Sequence, residues 1–268
     1  MSLADHPIRQ IMQNLACHFP GVRARQFART TTGAMNDPAV MREWADWMKR
    51  DLAAAGKSIV GSRLLEIGPG HSVGVAFKLL TEGAKDICAV DVRPYADLSK
   101  IDPELRRRFH YEISGDDAQW SIEPQTIDVA YSFFSGEHLR YPARVVSALS
   151  RVLRADGVCF FVVDLQDHTH RDSNWLHFLY YDRWLWNAMY SQRGAWTNRL
   201  LEPDWRTLFQ QFFGDVQIEP KTMPLPADFD PNRVARIFRK YPESVIAISH
   251  IRILARQPRH GQEMQVRR

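Results

Sequence analysis

The sequence predicts an α/β fold: a doubly wound, Rossmann-like sheet, mostly parallel with an antiparallel last strand, plus N-terminal helices and a helical insertion after the fifth strand. Three observations carry this. From residue 59 onward, short apolar runs alternate with helical stretches, the pattern of successive βαβ units. Several of the runs are almost continuously apolar, as central parallel strands covered on both faces must be. The first of them leads directly into a glycine-bearing turn, LLEIGPGHSVG. At 268 residues the chain is long enough for one α/β domain with appendages and can bury a substantial core.

Taken in order, residues 5–19 and 36–55 carry apolar positions at helical spacing, the second helix opened by Asp37 and Pro38 and stopped by Gly56. Between them RARQFARTTTGAMN is polar and is read as an ordered loop or a mobile lid segment. The strands expected next are SRLLEIG, DICAVDV, FHYEISG, IDVAYSFF and GVCFFVVDL, with helices VGVAFKLLTEGA and PARVVSALSRVLRADG among the connections. Beyond Leu165, about 50 residues rich in tryptophan, tyrosine, histidine and arginine precede two further strands, DVQIEP and SVIAISHIRILA; a compact α/β core does not need this interval. The organisation expected is a helical lid over 1–58, a main domain over 59–256 with a substrate-capping insertion at 166–213, and a basic tail over 257–268.

Composition narrows the class. Cys17, Cys88 and Cys159 are far apart, the last two inside apolar strands, and read as buried small hydrophobes in a reducing, cytoplasmic compartment. No signal peptide or membrane span is expected. The net charge of +4 comes from scattered arginines and the C-terminal tail, not from a stripe, so nucleic acid is not expected as a partner; a homodimer is left open.

The turn after the first strand marks a place where backbone meets a ligand, because Gly68 and Gly70 lack the Cβ that would prevent it. It is not the dinucleotide fingerprint G-x-G-x-x-G, since Val73 stands at the last glycine position. The run Glu66-Ile67-Gly68-Pro69-Gly70 resembles the first motif of the class I S-adenosylmethionine-dependent methyltransferases, and the resemblance extends over about residues 60–165. One departure is Ser72, where many members have a third glycine.

The resemblance implies S-adenosylmethionine as cofactor. Asp91, ending the second strand about 20 residues beyond the glycines, would accept hydrogen bonds from the ribose hydroxyls. Asp116 or Asp117 would accept one from the adenine amino group, Asp117 being favoured because Asp-Ala is the usual pairing. Pro69, Val92 and Ser132 complete the expected cofactor contacts, and Ser135-Gly136-Glu137-His138-Leu139 matches the family's Glu-His landmark after the fourth strand.

Methyl transfer to a hydroxyl gains from a base, for which histidine is suited. His138 is one candidate, with the alternative that it only packs at a helix entry. The other lies among Asp164, Asp167, His168, His170 and Asp172 in VVDLQDHTHRD, where His168 is preferred. This segment also carries hard donors, but its spacing matches no compact metal motif and no metal is expected. Asp167, Trp175, Trp196, Asn198 and Arg199 are the expected acceptor contacts, the aromatics being equally suited to helix packing. DLQDH followed by LHFLYY resembles a subgroup of methyltransferases of glycan or secondary-metabolite biosynthesis. The function expected is therefore methyl transfer to a hydroxyl of a small polar, sugar-containing or secondary-metabolite acceptor. N-methylation, RNA-directed methylation and a non-catalytic scaffold are the alternatives.

Overall fold

The computed structural model describes residues 6–28, 37–98, 102–115 and 118–261. Helices α1 (Pro7–Ala16), α2 (Pro20–Ala28) and α3 (Pro38–Ala54) come first. There follow β1 (Arg63–Ile67), α4 (Gly74–Thr81), β2 (Asp86–Asp91), α5 (Pro103–Arg107), β3 (Phe109–Ile113), β4 (Ile127–Phe133), α6 (Pro142–Val152) and β5 (Leu153–Asp164). The chain finishes with α7 (Arg183–Tyr190), α8 (Glu202–Phe212), β6 (Phe213–Thr222), α9 (Glu243–Ile246) and β7 (Ile248–Pro258). One seven-stranded sheet has the order β3-β2-β1-β4-β5-β7-β6, mostly parallel with the last strand antiparallel, as expected.

Burial explains why these runs are strands. Leu64, Leu65 and Ile67 of β1 and Val129, Ala130 and Tyr131 of β4 are all buried, so both faces of the central strands are covered. The parallel register sets Leu65 beside Cys88 on one side and Ala130 on the other, and Glu66 beside Tyr131. The flanking α6 buries Val145, Val146, Ala148, Leu149 and Val152, a helical stripe. Asp37 caps α3 by accepting from the Ala39 amide at 2.8 Å, with Pro38 in the first turn.

Three elements depart from expectation. The segment read as a loop is helical through Ala28 in α2, because Pro20 presets a first turn and Arg, Ala and Gln continue it; residues 29–36 lie outside the described residues. The turn expected at RADG lies within β5: Ile127 pairs with Leu153 and Val129 with Val158, so the extra residues form an exposed irregularity. The SVIA segment, expected at the start of the last strand, is mostly taken up by α9, which follows Pro242.

The chain forms two compact units. One comprises residues 32–164, 202–220 and 251–268 and carries most of the sheet; the other comprises residues 1–31, 165–201 and 221–250. In the second unit α1 lies against α7, and buried Asn14 joins them: its Nδ2 donates to the Ala188 carbonyl at 2.9 Å and its Oδ1 accepts from the Gln192 amide at 2.8 Å. This unit has its own core of Trp175, Phe178, Trp186, Tyr190 and Phe238. Among the described residues no helix is long and apolar enough to cross a membrane.

Asn14→Ala leaves the Ala188 carbonyl of α7 and the Gln192 amide just beyond it without their side-chain partner. It should destabilise the protein by about 2–3 kcal/mol, read by urea unfolding, with amide exchange accelerated in α1 and α7.

Candidate functional site

In the sheet-bearing unit, β1 delivers the chain into the glycine turn with Gly68 at φ +66° and Gly70 at φ +65°, conformations that L side chains rarely adopt. The two positions differ in surroundings. A Cβ on Gly68 would stand 2.6 Å from Ser135 Cβ, whereas one on Gly70 would meet no atom within 4 Å. Gly68 is therefore a packing necessity, and Gly70 borders open space.

Hydrogen bonds lock this turn to both neighbouring strands. The Gly68 amide donates to the Val90 carbonyl at 2.8 Å. Asp91 Oδ2 accepts from the Gly70 amide at 3.0 Å, and its Oδ1 accepts from the Val92 amide at 2.7 Å. From the other side Ser135 Oγ donates to the Ile67 carbonyl at 2.8 Å and lies 2.5 Å from the hydroxyl of fully buried Ser132. Pro69 is buried in the same turn, while the Val92 side chain is exposed.

Electrostatics mark the pocket. Burial pushes the Glu66 carboxyl up to about 8, opposed by the Tyr131 hydroxyl beside it and reinforced by the charge of Asp91. Among the described residues, neither Glu66 Oε2 nor the Tyr131 hydroxyl has a hydrogen bond of ordinary geometry. Burial also raises Asp91 to about 6, the backbone amides of Gly70, Val92 and Arg93 holding it lower than it would otherwise lie. Two carboxyls at the ends of adjacent strands thus face a site poor in compensating charge.

Around the turn stand Ser72, Glu137 and His138, singled out from the sequence, and Met41, Trp44, His71 and Tyr95, which were not. Ser72, the departure from the motif, contacts Met41 of α3 through its hydroxyl at 3.3 Å, and Gly74 is where a Cβ would strike the Met41 sulfur. The close helix approach that a third motif glycine would serve is thus met at Gly74. His71 and Tyr95 rings pack with centroids 4.9 Å apart, and Trp44 of α3 stacks on Phe133 at 5.5 Å. Glu137 is buried, and its Oε2 accepts from the Asp164 amide at 3.3 Å. His138 closes the adjoining 3-10 turn Gly136–His138, its amide donating to the Ser135 carbonyl at 3.0 Å. Long-range packing defines these roles. Asp116 and Asp117 lie outside the described residues.

The expected acceptor residues and His168 belong to the other unit. Asp167 is fully buried, and its amide donates to the Trp175 carbonyl at 2.8 Å. Burial opposes ionisation of Asp167, but His170 and the hydroxyl and amide of Thr169 more than offset it, leaving the carboxyl below its ordinary value. Trp175 is buried, and Trp196 Nε1 donates to Asn187 Oδ1 at 3.0 Å. Asn198 Oδ1 accepts from the Leu200 amide at 3.1 Å. Arg199 is buried over Trp186 and Phe238, and it donates to the carbonyls of Phe178 and Tyr181 at 3.2 and 2.6 Å. Its guanidinium ties together backbone of its own unit. His168 is half-buried on the loop that follows β5.

Gly68→Ala should lose about 2–4 kcal/mol, since a methyl clash adds to the backbone strain, and Gly70→Ala only about 1–2 kcal/mol from strain alone; chemical unfolding without ligand separates the two. Glu66 makes a second prediction. The folded state binds its proton more tightly than the unfolded chain, so the stability this contributes is complete below the ordinary value of 4.5 and is lost as pH rises through about 8. Glu66→Gln should flatten the fall in stability between about pH 5 and about pH 9, a fall of at most about 5 kcal/mol, measured as unfolding midpoints across that range.

Residues 38–218 match the Methyltransferase domain family. No curated protein matches the chain. Among solved structures, phosphoethanolamine N-methyltransferase 2 of Haemonchus contortus, in complex with S-adenosyl-L-methionine, superposes with a TM-score of 0.51 at 18% identity, over 78% of this chain and 51% of that one. The chain thus spans about half the length of that relative. An S-adenosylmethionine-dependent methyltransferase of Mesorhizobium loti gives 0.51 at 16% identity, over 80% of this chain and 98% of that one. The [4+2]-cyclase SpnF gives 0.50 at 14% identity, over 80% and 81%. At such identities the likeness speaks for the fold, which carries more than one reaction. The family match covers more than half of the chain, on the sheet and glycine turn already described, and the chain belongs to the class I S-adenosylmethionine-dependent methyltransferases.

Proposed function

We propose that this methyltransferase moves the methyl group of S-adenosylmethionine to a hydroxyl of a small polar acceptor, a sugar-containing compound or secondary metabolite. The observation that carries the cofactor half is the open space beside Gly70, bordered by the Asp91 carboxylate and lying at the end of a strand that holds the orphaned oxygen of Glu66. A left-handed glycine with nothing near its absent Cβ fits a ligand lying against the peptide plane. Unused acceptor capacity on two buried carboxyls fits the hydroxyls and ammonium of a nucleoside amino acid. The Haemonchus contortus enzyme, which shares the fold, holds this cofactor.

When bound, the cofactor supplies a sulfonium methyl, and its leaving group needs no acid. The chain's own residues then have to grip, orient and keep the reactants dry. Asp91 holds the turn through Gly70 and retains lone pairs for a ribose. The burial of Glu66 keeps water away from the same end. For a hydroxyl acceptor a base must take a proton, and His138 and His168 are the groups assigned that task. The resemblance of the DLQDH and LHFLYY segments to glycan and secondary-metabolite methyltransferases favours oxygen over nitrogen. Structural neighbours include an N-methyltransferase, so the acceptor atom is the point to test.

Calorimetric titration with S-adenosylhomocysteine should show binding that weakens at least about 100-fold in Asp91→Ala and Gly70→Ala with the fold retained. Absence of binding to the folded wild-type chain sinks the cofactor assignment. Incubation of a metabolite extract with methyl-labelled cofactor should give a product labelled on oxygen. Replacing the working base, His138 or His168, by Ala should slow its formation by about 10²–10⁴-fold. A product labelled on nitrogen, or rates unmoved by either change, overturns the hydroxyl reading.

A further inference from the structure

The loop that follows β5 brings three ligand-bearing side chains together within a single unit. Asp167 is fully buried, and the side chains of His170 and His177 are each only 10% exposed. Asp167 Oδ2 lies 3.3 Å from His170 Nδ1 and 4.0 Å from His177 Nδ1, and the three donor atoms all lie within 4.8 Å of one another. The imidazole rings are 3.9 Å apart, centroid to centroid. A carboxylate oxygen can accept two N–H bonds, but the Asp167 carboxylate already takes the Thr169 amide and hydroxyl, and two protonated imidazoles with rings this close would repel each other.

We propose that Asp167 Oδ2, His170 Nδ1 and His177 Nδ1 form a binding site for a divalent transition-metal cation of the zinc class, with a fourth corner open to water or an oxygen ligand. The donor set is right for it: two imidazole nitrogens and a carboxylate suit zinc and its neighbours, whereas magnesium and calcium favour oxygen throughout. The spacing is close to right as well. Ligands at 2.0–2.1 Å in a tetrahedron stand about 3.3–3.4 Å from each other, which the Asp167–His170 pair already meets. His177 closes the remainder by moving about half an ångström or more toward Asp167.

The surroundings hold the ligands as outer partners of metal sites do. Asp167 Oδ1 accepts from the Thr169 amide at 2.7 Å and its hydroxyl at 2.6 Å, which leaves Oδ2 facing the histidines. The Thr169 hydroxyl also lies 2.7 Å from His170 Nδ1, and on metal binding it keeps its bond to Asp167 and releases that nitrogen. His177 Nε2 lies 3.5 Å from the Tyr181 hydroxyl, so its proton has a place when Nδ1 serves the metal. The backbone closes the loop: the amides of Asn174 and His177 donate to the carbonyls of His170 and Asn174, each at 2.9 Å. The site uses neither Gly70 nor Asp91 and does not rest on the methyl-transfer reading.

The full chain, stripped with chelator and dialysed, is titrated with zinc alone and with cobalt alone. The expected result is one ion per chain, the intense visible bands of four-coordinate cobalt, and a zinc-dependent rise in Tm. Asp167→Asn, His170→Gln and His177→Gln should each weaken zinc binding at least about 100-fold and abolish the Tm rise. Should the buried Asp167 variant fail to fold, His170→Gln decides alone. A folded wild-type chain that takes up neither ion, or variants that bind as the wild type does, overturns the proposal and leaves an Asp–His hydrogen bond only. S-adenosylhomocysteine titration of the same samples reports the other site separately, so failure of either assignment is distinguishable from failure of both.

Discussion

The glycine turn leaving β1 is the constraint around which the sheet-bearing unit is organised. Its two left-handed residues are fixed from opposite sides, Gly70 by the Asp91 carboxylate at the end of β2 and the turn's carbonyl at Ile67 by Ser135 beyond β4. Each bond needs the three strands in their observed register, in which Leu65 pairs with both Cys88 and Ala130. The buried runs of β1, β2 and β4 hold these strands together, and a slip of one residue would carry Asp91 and Ile67 away from Gly70 and Ser135. Hydrophobic burial thus determines where a few polar groups meet, and those groups determine what the pocket can hold.

The chemistry of that pocket follows from burial as much as from residue identity. Among the described residues no cation offsets the burial of Glu66, and its carboxyl is held largely neutral at ordinary pH by desolvation. Asp91 keeps a lower value because backbone amides point at it. Two acids of nearly the same intrinsic strength therefore present one neutral and one charged group to a ligand, a division made chiefly by burial and by the backbone amides at Asp91.

The core strands were readable because continuous apolar runs and the glycine turn are local signals with one physical meaning. Asp91 and Glu66 could be placed at or near strand ends from the sequence. What escaped reading depends on contacts distant in sequence. Gly74 leaves room for the Met41 side chain of α3 to lie against it, and Ser135 matters because it sits over Gly68. The small side chains are visible locally, but the partners that give them meaning, Met41 and Gly68, lie outside any window of a dozen residues. The departure at α2 has a simpler cause: Pro20 presets the first helical turn and outweighs the polar run after it. At Asp167 the pattern DHTH was visible, but its second imidazole partner is His177, seven positions past His170 and brought back by a folded loop. Arg199, which looked like a ligand-facing cation, donates to backbone carbonyls among aromatic rings.

The unit containing α1 and α7 is assembled from three stretches of chain, the last ending at residue 250. During synthesis from the N-terminus, α1 emerges well over a hundred residues before the helix that Asn14 binds, and the strand-rich unit can begin ordering in the meantime. The nascent chain therefore carries an amphipathic segment with no native surface to cover it until α7 has been made. Closing that distance is an entropic cost met before the contacts of α1 with α7 can repay it, so the connectivity itself sets this pairing among the late and slow steps of folding.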